Sequence, residues 1–83
     1  MSTDISRIEF MKKDVLSTFA ERLRELMDLK SINISKLSQA TSIPKSTINC
    51  WLLKIRSPQI DFLVEIADYF GVTIDYLLGR EDI

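Results

Sequence analysis

No histidine occurs in this chain, and its absence removes the commonest general base and the commonest nitrogen ligand for metals. Cysteine occurs once, at Cys50, so an intramolecular disulfide is excluded and a reducing compartment is suited. With no cluster of nucleophile, base and oxyanion donors either, no enzymatic activity, cofactor, metal site or small-molecule ligand is expected. Long hydrophobic runs are also missing. Charge interrupts residues 1–14 every few positions, which argues against a secretory core, and no apolar stretch approaches the ~20 residues that a membrane span needs. A soluble, cytoplasmic chain is the expectation. Glycine and proline number two each, and both prolines, Pro44 and Pro58, fall between helical stretches, so an all-α fold is expected.

Eighty-three residues suffice for one hydrophobic core and are too few for two. With 46% hydrophobic and 28% charged residues, the chain is too apolar to be disordered. Its net charge of −1 by itself disfavours a polyanionic partner. The distribution of charge argues the other way. Residues 1–28 hold five basic and six acidic side chains, residues 61–83 hold one and six, and residues 29–60 hold five basic and no acidic ones. Thirty-two consecutive residues without an acid make a positive island that attracts a polyanion, while the acidic remainder keeps the molecule soluble.

Apolar residues at Val15, Leu16, Phe19, Leu23, Leu26, Met27 and Leu29 recur three or four apart and predict a first helix over 15–29. Its Glu21, Arg22, Arg24 and Glu25 read as a solvated outer face. Asn33 is placed to cap a short second helix whose inward residues are Ile34, Leu37 and Thr41. Ser42-Ile43-Pro44 breaks that helix, and Pro44 is suited to open a third over about 44–53. There Thr47, Ile48, Trp51 and Leu52 point inward, and Lys45, Ser46, Asn49 and Cys50 lie on the other side. A fourth helix follows Pro58 with Ile60, Leu63, Val64, Ile66, Ala67 and Phe70 on its buried side, and Gly71 ends it. Thr73 caps a fifth, with Asp75 in its first turn and Gly79 at its close. The chain thus divides into an N-terminal extension over 1–14, a domain over 15–80 and a tail over 81–83. Ile5, Ile8, Met11 and Val15 recur at helical spacing, which fits either a helix continuing into the first one or a mobile arm.

The informative stretch runs from Asn33 to Arg56, where two short helices meet through a three-residue turn. The second helix of such a pair is held outward by packing on the first, so its early side chains can enter the DNA major groove. Lys45 can donate to guanine O6 and N7, Ser46 can contact base or phosphate, Asn49 can pair bidentately with adenine, and Cys50 can touch a thymine methyl. The backbone amides near Asn33, Ile34 and Ser35 are positioned to hold a phosphate, and Lys36, Lys54 and Arg56 add charge beside them. Thr47 joins this phosphate-binding set.

The pattern LSQATSIPKSTINCWL, the Ser57-Pro58 pair and IADYFGVTIDYLLGRED closely resemble the phage repressor and Cro type of helix-turn-helix regulator over residues 16–80. The resemblance implies a compact five-helix, lambda-repressor-like domain that binds double-stranded DNA as a symmetric homodimer on palindromic half-sites. It places base reading at Lys45, Ser46, Asn49 and Cys50, and phosphate contacts around Ile34 and Leu53. It also implies a bacterial or phage-encoded, nucleoid-associated transcriptional regulator, a repressor in the first instance. The chain departs from the family where Ser42 and Lys54 replace a common glycine and Ile34 a common glutamine. A lysine in a left-handed cap costs on the order of 1 kcal/mol relative to glycine, so the end of the third helix is expected to be built differently.

Blander roles compete at several positions. Trp51 reads as core rather than as a stacking platform for bases, and Cys50 as a small side chain rather than a redox switch. Tyr69, Phe70 and Tyr76 fit a core or dimer contact better than a ligand pocket. Leu53 and Ile55 are apolar for a phosphate-facing turn and suit packing on a partner. They leave open an alternative function, an antitoxin-like or other protein-interaction module built on the same fold.

Overall fold

The structure, a computed structural model, describes the backbone of residues 2–80 and the side chains of residues 15–80. Five helices follow one another: α1 (Ser2–Lys30), α2 (Ile34–Ala40), α3 (Lys45–Leu52), α4 (Ile60–Phe70) and α5 (Ile74–Leu78), with no strand among the described residues. The first helix begins well before Val15, so the N-terminal extension continues the domain's own helix. The side chains of Ile5, Ile8 and Met11 and the tail over 81–83 lie outside the described residues.

Local chemistry sets the helix ends. The Asn33 side chain accepts a hydrogen bond from the Lys36 amide at 2.8 Å, and Thr73 accepts from the Tyr76 amide at 3.0 Å, so α2 and α5 both open on a side-chain cap. Four of the helices close in one way, with a residue of positive φ whose amide, with the next one, turns back to the last carbonyls. Gly71 (φ 70°) and Gly79 (φ 83°) fill this place after α4 and α5. Ser31 (φ 56°) and Lys54 (φ 62°) fill it after α1 and α3. The expectation that α3 ends differently for want of glycine is therefore incorrect. The Lys54 amide bonds to the Trp51 carbonyl at 3.0 Å and the Ile55 amide to that of Cys50 at 2.9 Å, and these bonds hold the lysine in the left-handed conformation.

The core forms where α1 packs on α3 and α5, α2 on α3 and α4 on α5. Phe19, Leu23 and Met27 supply the α1 stripe, Leu37 the α2 contribution and Ile48 and Trp51 that of α3. Leu63, Ile66 and Ala67 of α4 and Leu77 of α5 close the far side. Trp51 is fully enclosed, edge-on to Phe19 at 5.6 Å and tilted against Phe62 at 6.1 Å, which settles its role as core. Its indole N–H has no acceptor among the described residues.

Some expected inward residues face out. Leu29 is 81% exposed and Ile60 77%, while Val15 and Val64 are each more than a third exposed. Helical periodicity marks apolar residues but not where a neighbouring element ends, and α4 turns Leu63, Ile66 and Ala67 into the core with Phe62 and Phe70 packed beside them. Arg22 departs in the opposite sense. Rather than lying on a solvated face, its guanidinium is part-buried, donates to the Tyr76 carbonyl at 2.6 Å and stacks 4.4 Å from the Tyr76 ring centroid.

Candidate nucleic-acid interface

Two short helices and the turn between them build the candidate surface, and the turn is held by side chains. Ile43 is buried in it as a plug. Ser38 Oγ donates to the Ile43 carbonyl at 2.6 Å, Thr41 Oγ1 donates to the Leu37 carbonyl at 2.9 Å, and the Ile43 amide donates to Thr41 Oγ1 at 3.3 Å. Ser42 keeps a negative φ, so the glycine common at its place in the family is not required by this turn. Pro44 (φ −63°, ψ 147°) then sits in the extended conformation that starts α3, where its missing amide hydrogen costs nothing.

This frame fixes the direction in which α3 presents its side chains. Ile48 and Trp51 are anchored in the core, and Lys45, Ser46 and Asn49 are exposed on the opposite side with Cys50 half-buried beside them. Lys45 and Asn49, like Ser46 and Cys50, stand four residues apart and form two neighbouring rows along the helix. Lys45 Nζ lies 3.3 Å from Ser35 Oγ, which joins the start of α3 to the start of α2. The first-turn side chains of the two helices thus share one surface.

The other candidate residues divide by exposure. Lys36, Lys54 and Arg56 are exposed cations, Thr47 is half-buried, and Asn33 spends its side-chain oxygen on the helix cap. Ile34 packs partly against the core, which leaves its backbone amide as the polar group it can offer a phosphate. Electrostatically the surface is less pure than the sequence between 29 and 60. Glu21 reaches over from α1 to Lys54, with Oε2 3.8 Å from Nζ, and places one carboxylate at the edge of the positive island. Sequence spacing gave no sign of this pair, or of Ser38 and Thr41 as the locks of the turn, because each depends on how the backbone folds back.

Residues 23–77, more than half of the chain, match the helix-turn-helix family. The chain belongs to that family. The matched span of this helix-turn-helix protein opens at Leu23 in α1 and closes at Leu77 in α5, so the whole candidate surface lies inside it. The chain is 30% identical over 64 residues to an uncharacterized HTH-type transcriptional regulator, YobD, of Bacillus subtilis (strain 168), an alignment covering 77% of this chain and 57% of that protein. It is 36% identical over 61 residues to the HTH-type transcriptional regulator AnsR of the same organism, covering 74% of this chain and 53% of that protein. The chain thus spans a little over half the length of these curated relatives. No solved structure matches it significantly.

Proposed function

We propose that the protein is a sequence-specific DNA-binding transcriptional regulator that sets α3 into the major groove. The observation that carries this reading is the two-sidedness of α3. Ile48 and Trp51 lock one face into the core, and the opposite face offers Lys45, Ser46, Asn49 and Cys50 with no acid among them. A helix of ordinary width fits a major groove about 12 Å across, and these residue types match what base edges present there. Exposed Lys36, Lys54 and Arg56 flank that face and would hold phosphates, with the amides of Ile34 and Ser35 and the Thr47 hydroxyl beside them. Two relatives carry names of HTH-type transcriptional regulators, which supports the same reading. The protein binds as a homodimer on two half-sites and represses by occluding the polymerase.

Retardation of random duplex DNA at low and high salt tests this. The full chain is expected to bind at low salt and release as salt rises, and Lys45→Glu to abolish retardation while leaving helicity intact. Equal retardation by the two proteins would remove α3 from the interface.

A further inference from the structure

Exposed cations surround the candidate surface, and one of them alone is tied to a neutral side chain. Lys54 faces the Glu21 carboxylate at 3.8 Å, and Lys36 and Arg56 have no side-chain partner among the described residues. Lys45, by contrast, donates from Nζ to Ser35 Oγ at 3.3 Å, and no carboxylate among the described residues competes for it. Ser35 is half-buried in the first turn of α2. Asn33 caps that helix, so the Ser35 hydroxyl is not spent on the cap.

A free lysine at a DNA surface is a mobile point charge that follows the phosphates, and a phosphate contact carries no sequence information. A held lysine behaves differently. Its ammonium has three donors, and one given to Ser35 leaves two that radiate from a fixed point. Guanine alone offers two acceptors side by side in the major groove, O6 and N7. Adenine sets an amino group beside its N7, and thymine a methyl beside its O4, so neither takes both donors.

We infer that Ser35 is a specificity residue, which by holding the Lys45 ammonium makes that lysine a reader of guanine instead of a phosphate contact. The inference rests on the DNA-binding reading above. Ser35 acts through Lys45 and touches no base, so it is a positioning residue. Its backbone amide, which that reading gives to a phosphate, is kept when serine becomes alanine, and the part played by the hydroxyl can therefore be isolated. Lys45 and Asn49 stand about 6 Å apart along α3, and base pairs stack about every 3.4 Å. The guanine thus lies about two base pairs from the position that Asn49 reads.

The test selects duplexes from a random pool with the full chain as wild type, Ser35→Ala, Ser35→Thr, Lys45→Ala and Asn49→Ala, the helicity of each being checked by circular dichroism. Lys45→Ala is expected to relax one guanine position, and Asn49→Ala a different position about two base pairs away. Ser35→Ala is expected to lower the preference for that guanine about three- to tenfold and to leave the Asn49 position as it is. On the duplex selected by wild type, its slope of log affinity against log salt is expected to steepen by about one, as the released lysine moves to a phosphate. Ser35→Thr keeps the hydroxyl and is expected to keep the guanine preference. An unaltered guanine preference in Ser35→Ala, a weakening of every position alike at an unchanged slope, or a threonine variant that behaves like the alanine one would each overturn the inference and leave the DNA-binding reading standing. If wild type enriches no pattern, that reading falls and the inference with it. Should Ser35→Ala lose helicity, Ser35→Cys repeats the comparison with a side chain of similar size whose sulfur is only a weak acceptor.

Discussion

Single residues carry more of this domain's stability and tuning than their types suggest, and the left-handed positions show it best. Lys54 occupies a conformation that glycine enters without steric cost. Lys54→Gly is therefore expected to stabilise the fold by about 0.5–1 kcal/mol, seen as a Tm about 3–6 °C higher, since its exposed pairing with Glu21 contributes little. Gly71 and Gly79 separate backbone cost from packing cost. A Cβ added at Gly71 meets nothing within 4 Å, whereas at Gly79 it would stand 2.8 Å from Thr18 Cγ2, a stiff β-branched side chain. Gly71→Ala is expected to cost about 1 kcal/mol and Gly79→Ala at least about 1 kcal/mol more, by urea unfolding. Equal losses would show that α5 gives way to the added methyl. Glu21 is expected to matter for binding more than for folding. Glu21→Gln frees Lys54 and removes a carboxylate from the edge of the positive surface, so duplex affinity is expected to rise about two- to fivefold at low salt and the gain to fade as salt screens it.

Among the elements, α2 and α3 are short, at seven and eight residues, and neither would persist alone in water. They are held by Leu37, Ile48 and Trp51 and by their caps. Asn33→Ala is expected to destabilise the domain by about 1 kcal/mol through loss of the bond to the Lys36 amide. Trp51→Ala removes the ring that joins α1, α3 and α4, and a loss of about 3–5 kcal/mol, read by denaturant titration, is expected. The same elements show what a sequence can disclose. The order of helices, the caps at Asn33 and Thr73, the glycine stops and the two-sidedness of α3 were legible, because each leaves a signal within a few residues. The left-handed Ser31 and Lys54 were not, since neither residue type announces that conformation. Nor were the Arg22–Tyr76 contact, spanning 54 positions, and the exposure of Leu29, Ile60 and Val64, which depend on where other elements end. In the candidate site, the exposure of Lys45, Ser46 and Asn49 agreed with the pattern, whereas the Lys45–Ser35 and Lys54–Glu21 pairings required the fold.

For the molecule as a whole, a net charge of −1 conceals a division of labour in which the acids of the chain's two ends leave residues 29–60 positive. Four exposed cations, Lys36, Lys45, Lys54 and Arg56, stand around the candidate surface. If each neutralises one phosphate, the slope of log affinity against log salt is about −3 to −4 per copy. The base-reading role of α3 is tested most directly by selecting duplexes from a random pool with wild type and with Asn49→Ala in parallel. The result expected is that both proteins enrich a common pattern, with the preference at one base position per half-site relaxed in the variant. Identical preferences at every position would contradict base reading by this face.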